Sequence, residues 1–446
     1  MIAMRALALC GAFAATLLAA PVQATAPVQV LTSPGGVGYW LVEEHAIPMV
    51  ALEIAFKGGA ATDPDAQAGA AKFLSAMLDE GAGELDSVAF STQAQLLAAN
   101  FSFSTSSDAF SVSARMLSDT LDDSVALLRL ALTEPRFDAE PMTRVRGQIL
   151  SAIRSDEADP NALASQAWFK AAFPDDPYGR PRDGALETVA ALTADDLRAA
   201  HARLLTRGGA MVGVVGAIGP DAAGAMVDAL LGALPADPPA PLAPVTITKA
   251  VGTGAAGVTV IPFDAPQSTV IFGHEGPLRA DPDFIPAYVM NHILGGGGFS
   301  SRLTTEVREK RGLAYSTYAY LAPLDRTGLY MGGVGTANAR VAESLDVIRA
   351  EWRRMAEQGV TAEELQKAKQ YLTGAWPLRF DGNAKIASML VGLQRDGFGP
   401  EYLDQRNGLV EAVTLDDIAR VAAQWLKPDA LRFVVVGQPE GLPAIQ

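Results

Sequence analysis

Two stretches of this 446-residue chain read as copies of each other, and that duplication narrows the folds open to it. LTADDLRAAHARLLTRGGAMVGVVG, from Leu192 to Gly216, is matched without a gap by VTLDDIARVAAQWLKPDALRFVVVG, from Val413 to Gly437. Thr193 aligns with Thr414, Asp195 with Asp416 and Gly216 with Gly437, each pair 221 positions apart (414 less 193). A second echo, at 223 positions (362 less 139), sets AEPMTRVRGQIL from Ala139 against AEELQKAKQYLT from Ala362. Agreement over helix cap, helix and following strand argues for two like halves that clamp around something. Between them LPADPPAPLAPV carries five prolines from 235 to 244 and no helical or strand period, so it reads as a semi-rigid linker.

Within each half, strand and helix patterns mix, which predicts an α+β fold. GYWLVEE and PMVALEIAF read as strands joined around His45 and Pro48. Phe73, Leu74, Met77 and Leu78 share one face of a helix expected from Ala66 to Asp79 and stopped by Gly81. Alternation from Ala99 to Arg115 predicts a hairpin, helices follow over Ser118–Leu132 and Ala139–Arg154, and Asp159-Pro160-Asn161 breaks the pattern.

The second half holds the most suggestive chemistry, in NHILGGGGFSSRLTTEVREKRGLAYSTYAY from Asn291 to Tyr320. Gly295, Gly296, Gly297 and Gly298 read as a mobile loop over which another backbone can approach closely. Phe299, Leu303 and Val307 then form the apolar row of a helix, with Ser300 or Ser301 as its cap and Gly312 as its left-handed end. Leu313 to Leu321 alternates as a tyrosine-rich strand. Arg308 in the last helical turn and Tyr315 early in the strand can share one cavity, where a guanidinium fork and a phenol suit a peptide carbonyl or a developing oxyanion. The competing reading makes Arg308 part of a solvated charge run and Tyr315 a half-buried strand residue.

With hydrophobic residues at 49% and charged ones at 19%, the chain is globular rather than disordered. A net charge of −15 argues against nucleic acid or an anionic membrane as partner. Arg5, the uncharged run Ala6 to Ala20 and the small residues Val22 and Ala24 form an expected signal peptide over residues 1–24, which implies export, to the periplasm or beyond. No later segment is apolar and long enough for a membrane span. Cys10 is the only cysteine, so the expected mature chain has no disulfide and no thiolate metal site.

The duplicated halves, the proline-containing linker and LGGGGFSSRL…VREKRGLAYS together resemble the pitrilysin, insulysin and mitochondrial processing peptidase family. That resemblance implies a clamshell of two α/β-sandwich halves, here 25–234 and 245–446 joined by 235–244, and a zinc peptidase whose inverted H-x-x-E-H motif lies on a first-half helix. It further implies that Arg308 and Tyr315, seven residues apart, bind the scissile region of a peptide and support the transition state, with Gly295 to Gly298 beside them. The first half departs from the family: GAAKFLSAML puts Lys72, Ser75 and Ala76 at the His, Glu and His positions, and Ala152 stands at the distal glutamate. The four histidines, His45, His201, His274 and His292, have no helical ligand spacing, and an ammonium at Lys72 repels a divalent cation. His274 and His292 read as structural, the tryptophans as core, and Asp176-Pro177-Tyr178-Gly179-Arg180-Pro181 as a marker of the fold.

The expectation is therefore a non-zinc subunit of an exported heterodimeric metallopeptidase, with no metal of its own, a peptide substrate, and Zn2+ held by a partner of the same family that carries H-x-x-E-H. The alternative is a catalytically inactive peptide-binding or assembly protein on the same scaffold.

Overall fold

The computed structural model describes residues 27–238, 240–247 and 257–442; the expected signal peptide, Cys10 and Pro239 of the linker lie outside them. The first half runs through β1 (Gln29–Thr32), β2 (Gly38–Glu43), β3 (Met49–Lys57), α1 (Ala70–Ser75), β4 (Gly81–Ala82), β5 (Leu85–Asp86), α2 (Ser87–Leu96), β6 (Asn100–Thr105), β7 (Ala109–Leu117), α3 (Leu121–Thr133), α4 (Ala139–Asp156), α5 (Pro160–Ala172), α6 (Leu186–Ala191), α7 (Ala194–Leu204), β8 (Ala210–Gly216) and α8 (Pro220–Leu231). The second half has β9 (Val258–Pro262), β10 (Gln267–Glu275), α9 (Phe284–Asn291), β11 (Ala314–Pro323), β12 (Gly328–Ala337), α10 (Val341–Gln358), α11 (Ala362–Gly374), α12 (Asn383–Arg395), α13 (Tyr402–Ala412), α14 (Leu415–Trp425) and β13 (Arg432–Gly437).

The duplication is a structural fact. The sheet order β6-β7-β3-β8-β2 in the first half recurs as β11-β12-β10-β13-β9 in the second, with β1 added at one edge of the first sheet. The parallel pair falls in the same place in each, β2 with β8 and β9 with β13. Thr193 and Thr414 open their helices with identical capping boxes, each hydroxyl accepting from the N–H of an aspartate three residues on, Asp196 or Asp417. Gly216 and Gly437 end β8 and β13 at φ +147° and +155°, where a Cβ would collide with Met49 O or Ser268 Oγ.

Each sheet is buried on both faces, and the helix on the second face comes from the other half. In the first sheet Leu41, Leu52 and Ile54 point to the half's own helices, while Trp40, Val42, Ala51 and Val215 pack on Ile386, Ala387 and Leu390 of α12. In the second sheet Phe272, Phe433 and Val435 point to its own helices, while Met331, Val434 and Val436 pack on Ala164, Trp168 and Ala172 of α5. Glycines in the strands let these helices close in: a Cβ on Gly213 would meet Ala387 O at 2.7 Å, and one on Gly273 would meet the Trp168 ring at 3.0 Å. Arg326 adds a latch, gripping both carboxylate oxygens of Asp176 and covering the Tyr178 ring at 4.3 Å. The 176–181 segment thus ties the halves together.

One expectation needs correction. The helix foreseen over Ala66–Asp79 is a single short turn at Asp65–Gln67 followed by α1. Gly69 sits at φ +97°, and the buried Asp63 carboxylate accepts the N–H groups of Gly69 and Ala71, so the helix starts only there. Asp159-Pro160-Asn161 does break the pattern, between α4 and α5, and Asp159 caps α5 by accepting from Asn161 N–H.

His274 lies wholly inside the second core, donating from Nδ1 to Glu275 O and accepting from Trp352 Nε1 at 2.9 Å. Burial pushes its pKa from 6.5 to about 4. The folded state therefore keeps this ring neutral while the unfolded chain takes up a proton below about 6.5, so its stabilising contribution is full at neutral pH and falls as pH drops from 6.5 towards 4, by about 3 kcal/mol in all. Urea midpoints measured from pH 7 to pH 4 should decline more steeply for the native chain than for His274→Gln; parallel declines would contradict the assignment.

Candidate functional site

The glycine run is more ordered than its composition suggests. α9 continues into a widened π turn, His292–Gly296, so Gly295 is the end of a helix rather than the start of a loop. A Cβ on Gly295 would meet Ala319 N at 2.7 Å, one on Gly296 Asn291 Nδ2 at 2.7 Å, and one on Gly297 His292 O at 2.7 Å. Only Gly298, at φ +56°, has open space around it. Three of the four glycines therefore serve close packing against β11 and α9, so the expectation of a loop over Gly295 to Gly298 is corrected to a helix end followed by a turn, with Gly296 and Gly298 exposed. His292 is buried beneath the run and stacks on Tyr371 at 4.9 Å, its pKa lowered by burial.

The chain then makes one turn at Gly298–Ser300 before the helix begins. Phe299, placed by sequence in the apolar row, is turned out and 70% exposed, while Leu303 and Val307 are fully buried. Ser301, rather than Ser300, meets the helix start, its Oγ accepting from Thr304 N–H at 3.3 Å. Residues Thr304–Glu309 again form a π turn, closed by Lys310 N–H on Thr305 O. Arg302 fixes this turn to α11 through two bonds to Glu364, 2.7 and 2.8 Å. Gly312 ends the helix at φ +58°, as read from the sequence.

The turn places Arg308 between two rings. Its guanidinium carbon lies 4.7 Å from the centre of Phe299 and 4.7 Å from that of Tyr315. Tyr315 is left unpaired by a bulge between Ala314 and Ser316 where β11 meets β12, and it is 82% exposed. The neighbouring cations are engaged: Lys310 and Arg311 both bind Glu306, whose burial would raise its pKa but whose hydrogen bonds from these two hold it low. Among the described residues no carboxylate pairs with Arg308. The sequence reading of Arg308 as one of a uniformly solvated run does not describe this geometry, and the two expected residues do come together.

The metal positions are built otherwise. Ser75 is buried and its hydroxyl donates to Lys72 O at 2.8 Å; Ala76 is the last residue against α1, and Ala152 is exposed on α4. An ammonium, a committed hydroxyl and two methyl groups do not fit a zinc ion. Among the described residues no group of three or more His, Cys, Asp or Glu side chains could hold a metal, and no helix is long and apolar enough to cross a membrane.

Two like sheets with exchanged helices define a peptidase-like clamshell, in which the second half sets Arg308 beside Tyr315 and the first half lacks metal donors at Lys72, Ser75, Ala76 and Ala152. Residues 40–185 match the family model of the insulinase peptidases, family M16, and residues 191–372 match the model described as the peptidase M16 inactive domain. The chain belongs to peptidase family M16. An uncharacterized zinc protease of Streptomyces coelicolor is 29% identical over 403 residues, 90% of this chain and 87% of that protein. The non-peptidase homolog YmxG of Helicobacter pylori is 28% identical over 351 residues, 78% of this chain and 79% of that protein. A crystal structure described as a peptidase M16 inactive domain from Pseudomonas fluorescens superposes with a TM-score of 0.85 at 27% identity, covering 94% of this chain and all of that one.

Proposed function

We propose that this chain is the peptide-gripping, non-zinc subunit of an exported two-chain metallopeptidase. The observation that carries the reading is Arg308, a cation with no carboxylate partner among the described residues and with two exposed aromatic rings against it, in a chain whose metal positions are Lys72, Ser75, Ala76 and Ala152. A guanidinium in that setting can donate to a peptide carbonyl, and the Tyr315 phenol beside it can donate to the oxygen that gains charge as the bond is attacked. Neither group can activate water, so cleavage needs a second chain of the family carrying H-x-x-E-H and its zinc. The expected N-terminal signal peptide supports export, and an arginine–tyrosine pair in a chain without metal donors at Lys72, Ser75, Ala76 and Ala152 supports division of labour; a peptide-binding protein with no cleaving partner would use the same grip.

The expected result is that the purified mature chain binds no stoichiometric zinc and cleaves no peptide, while mixing it with the H-x-x-E-H partner gives cleavage that a chelator abolishes. One tightly held zinc per molecule with hydrolysis by this chain alone would refute the reading. Peptide binding without cleavage in any mixture would favour the peptide-binding alternative.

A further inference from the structure

A cavity of ≈ 500 Å³ opens at the edge of β11, between α9, α12 and α13. In a chain of net charge −15 it is lined by four arginines, Arg279, Arg379, Arg395 and Arg406, against one carboxylate, Asp396. Arg279 is committed to that aspartate at 3.1 Å. Arg406 is only 5% exposed and, among the described residues, has no carboxylate partner: it donates to Leu372 O and Asn407 Oδ1 and lies over the Trp376 ring at 4.8 Å. A buried cation without a countercharge costs free energy that an incoming anion can return. Asn291, also lining the cavity and 6% exposed, has a buried Oδ1 with no hydrogen-bond partner. An inorganic anion would satisfy the arginines and leave that acceptor empty. A peptide brings both a carboxylate and N–H donors.

β11 links this cavity to Arg308. Tyr315 stands at its start and Tyr320, stacked on Tyr318 at 6.1 Å, lines the cavity near its end. Five strand steps separate Tyr315 from Tyr320, about 17 Å along an extended chain. We propose that the cavity is a subsite for an acidic side chain of the bound peptide, about five residues from the residue held at Arg308. This rests on the peptide-gripping reading above and adds a preference to it.

The test uses labelled twelve-residue peptides, each with one glutamate moved through the sequence, and glutamine twins, binding to the mature chain. For one placement of the acid, the glutamate peptide should bind about tenfold more tightly than its twin, the scale of one charge-assisted hydrogen bond. Arg406→Gln should erase the difference. Because Arg406 also ties α13 to α11, the exposed double variant Arg379→Gln/Arg395→Gln is the second probe, and it should shrink the preference for the glutamate peptide over its glutamine twin. Equal binding of twins at every placement overturns the subsite and leaves the grip intact. Displacement of the glutamate peptide by inorganic phosphate at peptide-like concentrations also overturns it, in favour of a free-anion site. Failure of the chain to bind either twin overturns the grip and the subsite together.

Discussion

Arg308→Ala is expected to lower the turnover of the reconstituted two-chain enzyme by a factor on the order of 10², the scale for removing one preorganised donor to a developing oxyanion. The guanidinium already lies 4.7 Å from the centre of each of the Phe299 and Tyr315 rings and, among the described residues, has no carboxylate to leave, so its charge is available to substrate. Tyr315→Phe keeps the ring against Arg308 and removes only the hydroxyl. It should depress turnover on the same scale while leaving Arg308 in place, whereas Arg308→Lys keeps charge but loses the planar fork and should recover little. Neither change touches the buried core, so thermal unfolding of the variants should match that of the native chain. Full activity in both Arg308→Ala and Tyr315→Phe would remove this corner from the mechanism.

The second large effect is on stability. Trp168 is fully buried on α5 against the sheet of the other half, and its Nε1–H donates to Arg432 O at 3.3 Å. Trp168→Ala should cost about 3–5 kcal/mol, because a cavity opens between the halves and the strands at Gly273, having no side chain, cannot fill it. Against a typical total of about 5–15 kcal/mol this is a large fraction. Chemical denaturation should show the midpoint falling sharply. A loss of under about 1 kcal/mol would mean that the halves do not depend on the exchanged helix.

The sequence made the duplication, the paired capping boxes at Thr193 and Thr414, the hairpin β6–β7 and the left-handed stop at Gly312 legible, because each is set by residues close in the chain. It also placed Arg308 and Tyr315 together, since only the end of the helical turn and the reversal at Gly312 separate them. What it could not show depends on distant partners. Phe299 fits the helical period and still points outward, because the turn at Gly298–Ser300 reorients the chain before the helix begins. Gly295 to Gly297 look free until Ala319, Asn291 and His292 are seen against them. The arginines of the cavity lie between positions 279 and 406, too far apart to form any motif. That α5 covers the second sheet and α12 the first has no local signature at all, since both helices carry the apolar residues that any helix packed on a sheet would carry.

The reciprocal placement of α5 and α12 has a consequence for ancestry. A polypeptide of one half's length would present a bare apolar sheet and a helix with nothing to cover, and two such molecules could cure both defects only by trading helices around a two-fold axis. The present chain has the geometry of that swapped pair joined end to end. Once joined, its copies were free to diverge, so that one now carries Lys72, Ser75, Ala76 and Ala152 and the other Arg308.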